Sequence, residues 1–401
     1  MGRYLNAGNE NFQKSVNSEI YIDKTGLIAY TNRVINTLQG YLCISRPRRF
    51  GKSMAANMLT AYYSRGCDSE QLFSGLEISK DKDFETYRNK YNTISLNMQE
   101  FLSRSGGIEE VIERVKRFVL RDIKKAYPDV DYLDDTDLIE SMQDVYEEKK
   151  CPFIVIIDEW DCIFREFRQD KEAQEKYLDF LRDLLKDKAC IHLAYLTGIL
   201  PIKKYGTHSA LNMFDEFSMI SPGPLASYVG FTQKEVEMLC SRYHMDLEEV
   251  KSWYDGYSFS DELSIYSPRS VVNSMLFGKI ENYWNQTETF EALQAYIDMN
   301  FEGLKDDVLS MMAGENVPVN TGSFTNDMTT FRTEDDVLTL LIHLGYLVYD
   351  ADNKTVRIPN NEIRNEYCKI LEEYQGNLLL VGVNYNKKTK EHACVIEEYQ
   401  K

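Results

Sequence analysis

A short apolar run that ends in a basic turn constrains this chain more than any other stretch. The run covers residues 41–45, the turn covers residues 46–50, and Gly51-Lys52-Ser53 then opens a segment of helix-forming composition. This succession predicts a strand, a loop and a helix. The triplet fits the end of the phosphate-loop pattern G-x-x-x-x-G-K-[ST], in which loop amides hold phosphates, the Lys reaches the terminal phosphates and the hydroxyl binds Mg²⁺. Arg46 stands where the pattern has its first Gly, so the strict motif fails.

A second stretch, residues 152–159, favours nucleotide binding. It is apolar and rich in β-branched residues, which is typical of a fully buried parallel strand, and it ends in Asp158-Glu159. In P-loop ATPases the first acid of such a pair holds Mg²⁺, directly or through water, and the second polarises the attacking water. The alternative is a buried strand with a solvated acidic end. It is disfavoured because both elements occur in the right order, each at the carboxyl end of an apolar strand.

Further strands and helices alternate between residues 40 and 200. Strands are expected at 91–98 and 191–198, and helices at 26–38, 108–127, 137–149 and 171–186. This alternation predicts an α/β fold, a parallel sheet flanked by helices, whose ligands bind at the carboxyl ends of the strands. Thr197 ends a strand at that edge, where it would sense the terminal phosphate. The alternative is an ordinary packed β-branched residue.

Composition excludes several classes of protein. A net charge of −18 argues against a broad surface for nucleic acid or anionic membrane, although the phosphate loop itself is locally basic. Eight scattered cysteines, with no C-x-x-C pair, indicate reduced thiols and no zinc site. The N-terminus lacks a signal-peptide pattern, and no apolar run is long enough to span a membrane. We therefore expect a cytoplasmic protein that binds neither membrane nor nucleic acid.

The pattern changes to helices from about Pro222. They are expected at 232–243, 246–253, 268–277 and 289–300, and a helix at 334–344 is followed by a β-hairpin that suggests a winged-helix-like module. The aromatic-rich turn at residues 253–257 is better explained by packing around a bend at Gly256 than by a substrate site. Asp23-Lys24-Thr25 is explained by helix capping. The predicted domains are a P-loop ATPase domain (1–221), a helical domain (222–330) and the winged-helix-like module (331–370).

Together these motifs resemble the bacterial AAA-ATPase-like proteins that usually carry a C-terminal PD-(D/E)xK nuclease-like domain. The resemblance covers roughly residues 10–370 and rests on residues 21–25, 45–53, 157–159, 197–198, 253–257 and 345–347. In that family Arg-Pro-Arg-Arg-Phe-Gly-Lys-Ser is the usual phosphate loop, so Arg46 is a family variant. The resemblance implies ATP and Mg²⁺ as cofactors, with Ser53 and Asp158 at the metal and Lys52 and Glu159 as catalytic residues. The implied nucleotide-binding set is Arg46, Pro47, Arg48, Arg49, Phe50, Gly51, Lys52, Ser53, Met54 and Thr197.

The C-terminus departs from the family pattern. No Glu-x-Lys follows Asn361, and residues 371–401 resemble only the last strands of the nuclease-like domain. The simplest explanation is an internal deletion of the nuclease core, natural or engineered. We therefore expect no nuclease activity from this chain.

Two functional classes stay open. The chain is either a Mg²⁺-dependent ATPase or ATP-driven switch, or an ATP-binding scaffold or regulatory protein that does not hydrolyse. Retention of both Asp158 and Glu159 favours the first class, whereas loss of the nuclease core keeps the second open. A protein partner, or another copy of the chain in a homo-oligomer, would respond to the nucleotide state. Arg48 and Arg49 would neutralise phosphate or face a partner, and Arg49 could instead pair with a nearby acid.

Overall fold

The computed structural model describes residues 2–202, 210–259, 263–284, 303–325, 331–373, 380–386 and 391–397, with side chains up to residue 370. Residues up to Val229 form one compact unit. Residues from Gly230 to Phe324, together with those from Phe331 onward, form a second. The predicted end of the ATPase domain, residue 221, thus lies a few residues before the division between the units. The further division of the second unit at residue 330 stays a prediction.

A five-stranded parallel sheet is the centre of the first unit. Its strands are β1 (Tyr41–Ser45), β2 (Asn92–Asn97), β3 (Phe153–Asp158), β4 (Ile191–Gly198) and β5 (Asp215–Phe217). They lie in the order β2-β3-β4-β1-β5, and every neighbouring pair is parallel. All six residues of β3 are buried, as its unbroken apolar sequence predicts. The predicted α/β fold with a parallel sheet is therefore confirmed.

Helices connect and cover these strands. The helix Lys52–Tyr63, which follows the phosphate loop, packs along β2, β3 and β4. The other helices of this unit are Glu10–Val16, Gly26–Val34, Glu70–Phe73, Phe84–Tyr87, Met98–Leu102, Ile108–Ala126, Leu138–Lys149, Cys162–Glu166 and Lys171–Leu185, with short 3₁₀ turns at Glu77–Lys80 and Gly223–Leu225. The long connections between parallel strands are thus largely helical, as a parallel sheet requires.

The helix predicted over residues 26–38 is shorter than expected and ends at Val34. Ile35 leaves the helical conformation with ψ 136°, and Asn36 then adopts a left-handed conformation with φ +57°. The Asn36 N–H donates to the carbonyl of His192 at 2.7 Å, so the chain is tied to the start of β4 just before it enters β1. A tertiary hydrogen bond therefore overrides the helical periodicity of the sequence.

The second unit is mostly helical, with small sheets. Its helices are Gln233–Tyr243, Leu247–Tyr254, Pro268–Phe277, Leu304–Met312, Glu334–Leu344 and Asn361–Glu373. One sheet has the order β6-β8-β7, with strands Phe231–Thr232 (β6), Tyr257–Ser258 (β7) and Ser264–Tyr266 (β8). The other has the order β10-β11-β9, with strands Val317–Pro318 (β9), Val348–Asp350 (β10) and Thr355–Arg357 (β11). The predicted helix and hairpin are present, whereas the winged-helix assignment stays a prediction. The helix predicted at 289–300 lies outside the described residues.

The aromatic turn at residues 253–257 is a packing feature. Tyr254 and Tyr257 are fully buried, and the Tyr257 hydroxyl donates to the carbonyl of Gly345 at 2.7 Å. Gly256 has φ +108°, and a Cβ there would lie 2.1 Å from the carbonyl oxygen of Pro359. Only glycine fits this bend, both for its backbone conformation and for lack of space. The predicted packing role is confirmed.

Near the C-terminus, β12 (Leu380–Asn386) and β13 (Glu391–Glu397) pair as an antiparallel hairpin. Leu380 lies opposite Glu397, and Asn386 lies opposite Glu391. Both strands lie within residues 371–401, of which residues 374–379, 387–390 and 398–401 lie outside the described part. Their origin as a remnant of a nuclease-like domain stays a prediction.

Candidate nucleotide site

The phosphate loop joins β1 to the helix Lys52–Tyr63 through residues 46–51. Gly51 occupies the position just before the helix with φ +95°, and Arg49 also has a positive φ of +72°. A Cβ at Gly51 would meet no atom within 4 Å, so glycine is needed here for its backbone conformation and not for space. The predicted succession of strand, loop and helix is therefore observed. It includes the helix N-terminus that would face phosphates.

Lys52 is the first residue of this helix, and its side chain is only 4% exposed. The ammonium group donates to the carbonyl oxygens of Arg46 at 3.0 Å and Pro47 at 2.9 Å. Burial lowers the pKa of Lys52, and the charges of Glu159 and Asp158 oppose this shift. The lysine is thus held between the loop and the acidic pair, which is the position that a phosphate-binding lysine requires.

The side chain of Arg46 is buried under the loop. Its Nη1 donates to the carbonyl oxygens of Ser45 at 2.9 Å and Phe217 at 3.1 Å, and the latter ends β5. The side chain is fully buried, and burial lowers the pKa of the guanidinium to about 10. Sequence reasoning placed Arg46 among the nucleotide-binding residues. In this structure its guanidinium bonds the sheet, so a contact with nucleotide would come from its backbone.

The remaining loop residues have different environments. Phe50 is buried in the core, Arg48 and Arg49 are half-exposed, and Met54 is 41% exposed. Pro47 is buried. The predicted binding set therefore combines residues that support the loop from inside with residues that are accessible at its surface, and its contacts with a nucleotide stay predictions.

Asp158 ends β3 beside the loop. The side-chain amide of Asn97 donates to its Oδ2 at 3.4 Å, and the N–H of Glu159 donates to its Oδ1 at 3.1 Å. Burial raises the pKa of Asp158 to about 6, the Ser53 hydroxyl opposes this shift, and the neighbouring charge of Glu159 reinforces it. The two residues predicted to bind Mg²⁺, Ser53 and Asp158, therefore lie close enough for the Ser53 hydroxyl to stabilise the Asp158 carboxylate.

The sheet register explains why these polar groups meet. Asp158 is level with Asn97 on one side and with Thr197 on the other, and Thr197 is level with Ile44 of β1. The Thr197 side chain is fully buried, and its hydroxyl has no hydrogen-bond partner among the described residues. A buried hydroxyl without a partner is unfavourable for stability alone. This supports the phosphate-sensing interpretation over simple packing.

Glu159 follows in a left-handed conformation with φ +54°. Its carboxylate forms an ion pair with Arg165, from Oε2 to Nη2 at 2.5 Å. Arg165 Nε lies 3.5 Å from Oδ2 of Asp161, which is fully buried and accepts hydrogen bonds from the N–H groups of Ile199 and Leu200. The second acid of the pair is therefore part of a charge network that ends at the backbone after β4.

Sequence reasoning missed Asn97, Asp161 and Arg165 as members of this site. The signal for Asn97 was present, because it lies next to the last residue of the strand predicted at 91–98, and it ends the observed β2 at the same edge as Asp158. Asp161 lies two residues beyond Glu159 and carried no separate motif. Arg165 belongs to a five-residue helix, Cys162–Glu166, which is too short for hydrophobic periodicity to reveal.

The Asp23-Lys24-Thr25 motif has a structural role. One carboxylate oxygen of Asp23 accepts from the Thr25 backbone N–H at 2.8 Å, and the other accepts from the N–H of Glu77 at 2.7 Å. The Thr25 hydroxyl accepts from the N–H of Ile78 at 3.1 Å. No side chain caps the helix Gly26–Val34 at its N-terminal Thr25, so the predicted capping is wrong. The motif instead anchors the 3₁₀ turn at Glu77–Lys80.

The model of the predicted AAA-ATPase family matches residues 6–207, which are 202 of the 401 residues. This span includes the phosphate loop, the acidic pair and Thr197. The chain belongs to the predicted AAA-ATPase family. The resemblance read from its motifs is thereby confirmed for the ATPase part of the chain. No described helix of this AAA-ATPase-like chain is long and apolar enough to cross a membrane.

A curated relative is an uncharacterized protein encoded in the vnfD 5′ region of Azotobacter chroococcum mcd 1. It is 26% identical over 285 residues, which are 67% of this chain and 51% of the relative. The chain thus spans about half the length of that relative.

Two solved structures are similar at low identity. A Walker-type ATPase of Pyrococcus abyssi is 15% identical with a TM-score of 0.43, covering 86% of this chain and 94% of that one. The ORC2 protein of Aeropyrum pernix, solved as ADPNP-ADP complexes, is 12% identical with a TM-score of 0.34, covering 90% and 98%. The fold assignment rests on the strand order of the sheet and not on these scores.

Proposed function

We propose that this AAA-ATPase-like chain is a Mg²⁺-dependent ATPase or ATP-driven switch whose site is formed by the phosphate loop, Asp158 and Glu159. The observation that carries the proposal is the packing of the phosphate-loop helix on β3, whose final Asp158 interacts with both Ser53 and Lys52. It brings together residues that lie more than a hundred positions apart in the sequence, directly beside the phosphate-binding lysine. A structural role alone would not require a hydroxyl, a carboxylate and a lysine at one sheet edge.

The donor set fits Mg²⁺. Ser53 and Asp158 would hold the ion, because hydroxyl and carboxylate oxygens are the hard ligands that it prefers. When bound, Mg²⁺ supplies charge neutralisation on the phosphates.

The chain's own residues would act as follows. Lys52 would exchange its bonds to the Arg46 and Pro47 carbonyls for bonds to the terminal phosphates. Its ammonium is suited to this exchange because neutral carbonyls bind a cation less strongly than phosphate oxygens do. Glu159 would accept a hydrogen bond from the attacking water and orient it, and the Thr197 hydroxyl would bond the terminal phosphate.

Calorimetric Mg-ATP binding and steady-state phosphate release test the proposal on the wild type, Lys52→Ala and Glu159→Gln. Lys52→Ala should abolish binding. Glu159→Gln should retain binding and lose about 10²-fold or more in turnover, the range expected for removal of a general base. Two control variants, Lys171→Ala and Glu147→Gln, change an exposed lysine and an exposed glutamate on the helices Lys171–Leu185 and Leu138–Lys149. Neither variant should change Mg-ATP binding or phosphate release.

Different results separate the two functional classes. Equal turnover in the wild type and Glu159→Gln, with binding intact, would remove hydrolysis and leave an ATP-binding scaffold or regulatory protein. Wild type without Mg-ATP binding would contradict the proposed site as a whole.

We also propose that this chain does not cleave nucleic acid, because no Glu-x-Lys follows Asn361. Incubation with plasmid DNA and either Mg²⁺ or Mn²⁺ should leave the DNA intact. Cleavage by the wild type that persists in Lys52→Ala would contradict this expectation.

A further inference from the structure

We propose that Arg165 is a positioning residue for hydrolysis, which fixes the carboxylate of Glu159 beside the phosphate loop. The inference rests on the proposed ATPase function and names a residue outside its motifs. Arg165 lies on the short helix Cys162–Glu166 that follows the acidic pair, and its side chain is only 8% exposed.

The contacts of Arg165 hold Glu159 from one side. Nη2 bonds Oε2 of Glu159, whose side chain is 22% exposed. Since the ion pair uses Oε2, the described contacts leave Oε1 of Glu159 to accept a hydrogen bond from water. A guanidinium suits this task because its donors form a rigid planar fork, so a bond at one end limits rotation at the other.

Asp161 fixes the other side of the guanidinium. Its Oδ2 lies 3.5 Å from Arg165 Nε and accepts from the N–H groups of Ile199 at 3.0 Å and Leu200 at 2.8 Å. A Cβ on Gly198 would lie 2.6 Å from Oδ1 of Asp161, so the carboxylate is packed tightly against the end of β4. Arg165 Nε therefore lies beside a carboxylate that is itself held by two backbone N–H groups just after β4.

The backbone of Glu159 also needs to be held. A glutamate at φ +54° is in a conformation that non-glycine residues rarely adopt, and such strain is concentrated at functional sites. The Glu159 N–H donates to Oδ1 of Asp158 at 3.1 Å, and the Glu159 carbonyl accepts from Cys162 at 3.1 Å. Together with Arg165, these contacts fix both the backbone and the side chain.

The held carboxylate lies close to the phosphate-binding lysine. Glu159 is the charged group that most strongly opposes the burial-induced lowering of the Lys52 pKa, ahead of Asp158 and Asp161. Arg165 thus keeps Glu159 on the side of the site where the terminal phosphate would lie. The positive charge of Arg165 also adds to the lowering of the Lys52 pKa.

Loss of Arg165 should therefore impair turnover and not nucleotide binding. We expect Arg165→Met to lower kcat by about 10- to 100-fold, the order that follows from misplacing a reacting group by about 1 Å. KM and the Mg-ATP dissociation constant should change by less than about 3-fold, because Arg165 is bonded to the water-orienting group and its effect on the Lys52 pKa is the smallest of those that act on this lysine. Arg182→Met is the matched control, since Arg182 is an exposed arginine paired with Asp179 at 2.7 Å, and it should match the wild type.

A double-mutant cycle identifies the route of action. If Arg165 acts through Glu159, the double variant Glu159→Gln/Arg165→Met should turn over as slowly as Glu159→Gln alone. Arg165→Lys keeps a cation beside Asp161 and guards against misfolding, but it lacks the planar fork. Its kcat should fall between those of the wild type and Arg165→Met.

Several outcomes would overturn the inference. These are a wild-type or higher kcat in Arg165→Met, a further loss in the double variant, or a loss that lies in KM. If Arg165→Met does not fold, a wild-type kcat in Arg165→Lys overturns it instead. Wild type without Lys52-dependent turnover overturns the proposed function together with this inference, whereas wild-type turnover that Arg165→Met retains overturns this inference alone.

Discussion

Replacing Arg46 by glycine restores the strict phosphate-loop pattern, yet the structure predicts that it harms the protein. The guanidinium is fully buried and bonds the carbonyls of Ser45 and Phe217, which end β1 and β5. Arg46→Gly would remove these bonds and leave space under the loop. Arg46→Met, in contrast, would keep most of the side-chain volume and remove only the charge and its bonds.

The magnitudes favour a clear difference between the two variants. Loss of three buried methylenes is worth about 2.4 kcal/mol, and loss of two hydrogen bonds from a charged donor about 3 kcal/mol or more. A new glycine adds about 1 kcal/mol of unfolded-state entropy. Against this, the lowering of the Arg46 pKa from 12.5 to about 10 corresponds to about 3 kcal/mol that either variant regains. We expect Arg46→Gly to lose about 3 kcal/mol of unfolding free energy and Arg46→Met to lose less than about 1 kcal/mol.

Urea unfolding followed by circular dichroism, with Mg-ATP calorimetry on each folded variant, checks this expectation. Arg104→Gly places the same substitution at an exposed arginine and should lose less than about 1 kcal/mol. Wild-type stability in Arg46→Gly would refute the role of Arg46 in the core. An equal loss in Arg46→Met and Arg46→Gly would refute the balance between hydrogen bonding and burial.

Three further predictions concern buried polar groups and one bend. Burial raises the pKa of Glu362 from 4.5 to about 7, so the folded protein binds this proton more tightly than the unfolded chain. The resulting stabilisation is complete below pH 4.5 and is lost as the pH rises through about 7. Glu362→Gln should remove this pH dependence of the unfolding temperature between about pH 5 and about pH 8. Gly256→Ala should lower the unfolding free energy by about 3 kcal/mol because its Cβ would meet the Pro359 carbonyl, whereas Gly278→Ala, with open space, should lose about 1 kcal/mol in the same urea titration. Thr197→Val should leave stability unchanged or slightly higher but lower phosphate release by about 10-fold or more, and unchanged release would mean that the hydroxyl senses no phosphate.

The sequence predicts best those features that depend on strand ends. Lys52, Asp158 and Thr197 each follow or end an apolar run, and the carboxyl ends of parallel strands share one edge. The register confirms this reasoning, because Thr197 is level with Asp158 and with Ile44 of β1. Local pattern and sheet geometry are sufficient here, since no long-range side-chain contact is needed to place these residues.

The direction of long side chains could not be predicted in the same way. Arg46 bonds the carbonyl of Phe217, which lies 171 positions further along the chain, and nothing near Arg46 reveals that acceptor. The pairing of Glu159 with Arg165 depends on a left-handed glutamate and a helix of five residues. Neither has a periodic signal, and a separation of six residues is not a helical contact distance.

The structure also explains how the phosphate loop can lack its first glycine. Three successive carbonyls, those of Ser45, Arg46 and Pro47, are bonded by cations of the chain itself, the first by the Arg46 guanidinium and the other two by Lys52. Pro47 in addition fixes its own φ. A glycine would give the loop conformational freedom that nucleotide binding must then remove. In this chain, the side-chain hydrogen bonds and the proline restrict the loop conformation before any phosphate is bound. The arginine therefore makes the loop rigid, whereas a glycine would make it flexible.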